Sequence, residues 1–364
     1  MYYGSGILGD VTISTHKTLT DSVYHYDNLT INAGVTLTFP HRSVVFVKGT
    51  LSVNGTLTVA PGPLGGLAKN GFSYAGQGGA GGAAGGSLII IANSIVGTGI
   101  ITAKGSVGGN GSPGSYSNTN DNSNPQAGNP SSGCSISALG LKSAPNNAGG
   151  ASYSSIGSNS FLGIAPEGWL WQYLNYLFIP ALITTQFPEV PISDGGGGGS
   201  AGGTTSSSNS GGQGGPGGAG GSFGGAGGKG GWGYNSSGNG SLTYEGAGGS
   251  GGGGAGGFLT VISPSIVNTI TLDVSGGNGT AGSNGANLNQ NTWGASGGGG
   301  GGGGGGLLIT ITDSDILPSQ IVLDGGVKGV NGTCNVSTVP AVSATNGGMG
   351  ILIEYQLSSL EAML

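Results

Sequence analysis

The sequence predicts an all-β, repeat-built chain in which β-solenoid or sandwich rungs are interleaved with polyglycine-II-like helices. Three observations lead there. Short alternating or apolar runs, separated by Asn-Gly, Ala-Gly and Lys-Gly turns, fill residues 7–60. A glycine tract followed by a strand pair then recurs along the rest of the chain. Within the longest mixed glycine tract, the non-glycine residues fall at every third position.

The opening strands are Val11–Thr15, Leu29–Ile31, Val35–Phe39, Val44–Val47, Thr50–Val53 and Thr56–Val59. Their short, even spacing is that of stacked rungs or a small sandwich. Residues 1–62 therefore form an N-terminal β-strand region suited to attachment or assembly. Residues 63–364 form a glycine-rich β-repeat and polyglycine-II domain, with a loop and aromatic insertion at about 112–191.

The repeat begins with Leu88–Ile91, Ser94–Val96 and Ile100–Gly105. It returns as Phe258–Ile262, Ser265–Val267 and Ile270–Val274, and again as Leu307–Ile311, Ile316–Leu317 and Ile321–Gly325. A truncated copy is Met349–Tyr355. One such unit cannot bury its own apolar side chains, so the copies are expected to stack on a shared core.

In Gly211–Gly233 the interruptions are Gln213, Pro216, Ala219 and Ser222, then, after a slip of one, Phe223, Ala226, Lys229 and Trp232. A period of three matches a helix of polyproline-II type, which has three residues per turn and no internal hydrogen bonds. With side chains confined to one edge, the two bare edges let neighbouring helices approach and hydrogen-bond to one another. The fixed φ of Pro216 suits such a helix. Collagen is a poor alternative, because proline is sparse and the unbroken run Gly297–Gly306 breaks the one-in-three glycine rule. The alternation of tracts with apolar strands argues against a flexible linker.

Composition limits function. The 364 residues include 88 glycines, roughly a quarter, against about 7% in ordinary proteins. Charged residues make up 6% and the net charge is −6, which provides no basic surface for nucleic acid. Cys134 and Cys334 form no zinc-ligand spacing; they are either one long-range disulfide or two small buried side chains. His16, His25 and His41 lack partners at ligand spacing and read as surface or interface residues, so no metal or cofactor is expected. Asp313 and Asp315 could supply oxygen ligands to Ca²⁺, but read more simply as a turn that caps backbone N–H groups. Asp273 and Asp324 occupy equivalent repeat positions, which is more simply a reused turn residue than a catalytic pair. No enzyme is expected.

Met1–Ile7 carries neither a basic nor an apolar signal region, so no secretion signal is visible. Eight Asn-x-Ser/Thr sequons, at Asn28, Asn54, Asn110, Asn235, Asn239, Asn278, Asn331 and Asn335, are candidate glycosylation sites. Low charge and sequons together suggest an outward-facing protein. The candidate binding residues are aromatic: Trp169, Trp171, Tyr173 and Tyr176 in the apolar segment 161–187, and Trp232, Tyr234, Tyr244 and Trp293 in glycine-rich loops. Trp169–Ile179 has the length of three helical turns, closed by Pro180, and is a binding tip, a cap over the array or a subunit contact.

The tracts Gly211–Gly233, Gly246–Gly257 and Gly297–Gly306, with polar and aromatic loops between them, resemble the glycine-rich adhesins at the tips of tailed-phage fibres. In that family polyglycine-II helices pack in a layered sandwich and the intervening loops bind the host surface. The opening Asn28–Leu37 and Gly49–Leu57 look like repeats common in phage and archaeal-virus tail proteins. The resemblance implies a non-catalytic virion surface or tail-fibre protein. Its partners would be a host-surface glycan or protein, other fibre proteins and further copies of itself. A purely structural role, as a capsid decoration or filament subunit, is the alternative. The β-repeats between the tracts and the apolar segment depart from the adhesin pattern.

Overall fold

The computed structural model describes residues 3–61, 78–111, 210–213, 232–235, 247–317 (apart from 248, 268, 286, 290–291 and 294–295), 320–333 and 343–361. These residues are mostly strands in parallel sheets, with one short helix, α1 (Leu357–Glu361).

A nine-stranded sheet has the order β1 (Asp10–Ile13), β4 (Asn28–Ile31), β6 (Ser43–Val53), β8 (Ser87–Val96), β12 (Phe258–Ile262), β17 (Leu307–Ile311) and β19 (Ile351–Tyr355). Two further strands join it: β3 (Val23–Tyr26) on β6 and β13 (Ser265–Ile266) on β8. A six-stranded sheet runs β18 (Ile321–Val322), β14 (Thr271–Asp273), β9 (Ile100–Thr102), β7 (Thr56–Val59), β5 (Thr36–Phe39) and β2 (Lys17–Thr18). Every pairing in both sheets is parallel.

Tight turns join a strand of the larger sheet to its successor in the smaller one. Between β4 and β5, for example, Val35 N donates to Asn32 O at 3.1 Å, and Gly34 takes a φ of 74°. Leu29, Ile31, Leu51, Val53, Leu88, Ile90, Leu259 and Leu308 from the large sheet meet Leu37, Phe39, Leu57, Ile101 and Leu272 from the small one. All of them are at most 1% exposed. The four copies of the sequence repeat lie side by side in register, Leu88 beside Leu259, Leu259 beside Leu308, and Leu308 beside Leu352. Leu88–Ile91 is buried on both faces, which explains its unbroken apolar run.

Two details differ from the sequence reading. Val44–Val47 and Thr50–Val53 belong to one strand, β6, with a register irregularity between them at Lys48 and Gly49. The strand β3, Val-Tyr-His-Tyr, carries no branched run or turn signal strong enough to announce it; Tyr24 and Tyr26 nonetheless face the core.

The two sheets continue into two layers of glycine-rich segments. Segments I (79–86), III (249–257), V (297–306) and VII (345–350) each lead into a strand of the large sheet. Segments II (103–111), IV (274–285) and VI (323–333) each leave a strand of the small one. Within a layer the segments are parallel: Ser250, Gly253 and Gly256 donate to Gly298, Gly301 and Gly304 at 2.8–3.0 Å. Between layers they are antiparallel: Gly251, Gly254 and Gly257 donate to Gly109, Ser106 and Ala103. Donors to any one neighbour thus recur every third residue. At Gly254 and Gly303 an added Cβ would overlap the carbonyl oxygens of Ala83 and Gly254, so those positions admit glycine alone.

The turn Pro40–Ser43, leading into β6, meets the first residue of β8. Ser87 N donates to His41 Nδ1 at 3.1 Å, Arg42 N donates to Ser87 O at 3.0 Å, and Arg42 holds a φ of 67°. His41, read from the sequence as a surface or interface residue, is half-buried and structural. Burial, and secondarily the Arg42 charge, lowers its pKa from 6.5 to about 4. On the far edge Asn346 Oδ1 accepts from Lys328 N at 3.0 Å, and Asn331 Oδ1 accepts from Gly299 N at 2.9 Å.

Two predictions follow from the packing and the turn. Gly254→Ala and Gly303→Ala will each destabilise the protein by about 2 kcal/mol or more, whereas the exposed Ala281→Ser stays within about 0.5 kcal/mol; urea midpoints check both. Because His41 resists protonation when folded, its contribution is complete above pH 6.5 and is lost as pH falls towards 4, by up to about 3 kcal/mol. Denaturation at pH 7.5 and 4.0 will show that slope, and His41→Gln will remove that part of it.

Candidate functional site

The alternating directions of the two layers fix where the long connections lie. Segments II, IV and VI run away from the β-sheets, and III, V and VII run back towards them. The connections 112–248, 286–296 and 334–344 therefore all join the segments at one end, distal to the sheets.

Two of these connections pair with each other. A four-stranded antiparallel sheet has the order β10 (Ser210–Gln213), β11 (Trp232–Asn235), β16 (Thr292–Trp293) and β15 (Asn287–Asn289). Its register sets Tyr234 opposite both Ser210 and Trp293, and Trp293 opposite Asn287. Gln213 pairs with Trp232, and Thr292 with Asn235 and Asn289. Three of the eight candidate aromatics, Trp232, Tyr234 and Trp293, are thus gathered from segments about 60 residues apart in sequence. Trp169, Trp171, Tyr173, Tyr176 and Tyr244 lie outside the described residues, as do Cys134, Cys334, Asn239 and Asn335.

The sheet adds Gln213, Asn287, Asn289 and Thr292, which the sequence reading did not single out. Their strands are two to four residues long and polar, so no periodicity marks them. The four strands carry amides, hydroxyls and aromatic rings, but no carboxylate, imidazole or amine. Such a set can donate and accept hydrogen bonds and offer flat apolar surface.

Several other polar side chains complete backbone hydrogen bonding. Asn28 Oδ1 accepts from Thr50 N at 2.8 Å while its Nδ2 donates to Asp10 Oδ1 at 2.7 Å. Asn278 Oδ1 accepts from Val327 N at 2.8 Å. His16 Nδ1 and His25 Nδ1 accept from Thr36 N and Ser5 N, and His25 also stacks on Phe46 at 4.6 Å. Asp313 Oδ1 accepts from Ser358 N in the first turn of α1, and this contact lowers the pKa of the Asp313 carboxyl. Asp273 Oδ1 accepts from Ser275 N, and its Oδ2 lies 3.5 Å from Lys104 Nζ. Among the described residues no three His, Cys, Asp or Glu side chains cluster as a metal site.

No protein-family model, curated protein or solved structure matches the chain. Asn28→Ala is expected to lower stability by about 1 kcal/mol, since it removes the acceptor of Thr50 N–H and the donor to Asp10 together; thermal denaturation measures it.

Proposed function

We propose that this protein is a non-catalytic virion surface or tail-fibre adhesin that presents its distal connections to a host-surface glycan or protein. The observation that carries this reading is the gathering of Trp232, Tyr234 and Trp293 among amides, at the end of the array where the long connections emerge. In this reading the glycine segments form a polyglycine-II array, supported by hydrogen bonds at every third residue. The β-rungs form a short solenoid that anchors it. The rigid part holds the recognition end at a fixed distance from the particle, and aromatic rings with few rotatable bonds bind at small entropic cost. The outer location follows from the composition, with few charges to attract nucleic acid and many hydroxyl and amide groups.

Labelled protein is expected to bind intact candidate host cells saturably. A Tyr234→Ala/Trp293→Ala variant with unchanged thermal stability should lose at least about tenfold in affinity, the effect of removing interface aromatics. A Trp169→Ala/Trp171→Ala variant tests the apolar segment in the same assay. Folded wild-type protein that binds no host cell or envelope glycan overturns the proposal.

A further inference from the structure

Lys104, Val107 and Asn110 of segment II, Asn278 and Ala281 of segment IV, and Asp324, Val327 and Val330 of segment VI are exposed at three-residue steps, and the hydrogen bonds align them in rows. Gly105 N to Ser275 O and Gly276 N to Asp324 O set Lys104, the buried Ser275 and Asp324 in one row. Gly108 N to Asn278 O and Gly279 N to Val327 O align Val107, Asn278 and Val327 in the next. Gly282 N to Val330 O places Ala281 beside Val330, and the same three-residue step brings Asn110 alongside. Val107, Val327 and Val330 are 55%, 58% and 67% exposed. Apart from Lys104 and Asp324 at opposite ends of the first row, these positions carry no charge. A regular face with three exposed branched side chains and little charge has the composition of an interface core.

We infer that this face is covered by a second copy of the chain, related by a two-fold axis along segment IV. Such an axis lays segment II of one copy over segment VI of its partner, both running in the same direction. Lys104 then meets the partner's Asp324, and Val107 meets the partner's Val327. Asn278 and Ala281, near the axis, meet their own counterparts. An axis across the segments would lay each segment over its own copy and leave Lys104 without an opposite charge. Lys104 keeps its side chain 56% exposed despite its contact with Asp273, so it remains available to the partner. The pairing is isologous, as a closed two-fold dimer requires. It does not depend on the adhesin reading, and it points the distal connections of both copies the same way.

Sedimentation equilibrium of the full chain is the test. The wild type is expected to be a dimer. Asp324→Lys should weaken association about tenfold or more, through like charges facing each other. Lys104→Glu should do the same, and the combined Lys104→Glu/Asp324→Lys protein should regain the dimer, with circular dichroism showing every variant folded. A monomeric wild type, or a dimer indifferent to both single reversals, overturns the inference, as does a double variant no tighter than the singles.

Discussion

The structure rests on one interaction, the N–H···O bond between glycine segments that touch along their backbones. Each contact depends on the missing Cβ, because the carbonyl oxygen of a neighbour occupies the place a side chain would take. A net hydrogen bond contributes about 1 kcal/mol, while ordering a residue's backbone costs about 1–2 kcal/mol. The array therefore leans on the apolar core between the two parallel sheets. The β-sheets fix the spacing and direction of every segment, since each segment is the direct continuation of a strand.

Edges are the weak places of such a design, because a parallel layer has no natural end. At the far edge the side-chain amides of Asn346 and Asn331 accept from Lys328 N and Gly299 N. The recurrence of Asn-Gly in the last two segments is thus partly a matter of satisfying backbone groups that have no neighbouring strand of glycine.

Much of the architecture was legible from residues alone. The apolar repeats Leu88–Ile91, Phe258–Ile262 and Leu307–Ile311 stand at the predicted positions, and they stack. Boundaries between short rungs were less visible: Lys48 and Gly49 look like a turn but are absorbed into β6, because Gly49 lets the strand pass close to Asn28. The aromatic candidates were named from composition, yet the pairing of Tyr234 with Trp293 was not foreseeable. It depends on a non-local register between two pairs of polar strands, and polar strands this short carry no period. The structural task of His41 was hidden for the same reason, since its partner Ser87 is 46 residues away.

The out-and-back course of the segments has a consequence for how such a chain can change. Each distal connection begins and ends on neighbouring segments of opposite layers, so its ends are held close together whatever lies between. Closing a loop between fixed ends becomes less favourable only logarithmically with length, by about 0.6 kcal/mol for each doubling. A connection of eleven residues, 286–296, and one of more than a hundred, 112–248, are therefore served by the same scaffold. The distal end can be rebuilt by insertion or exchange while the glycine lattice beneath it stays unaltered.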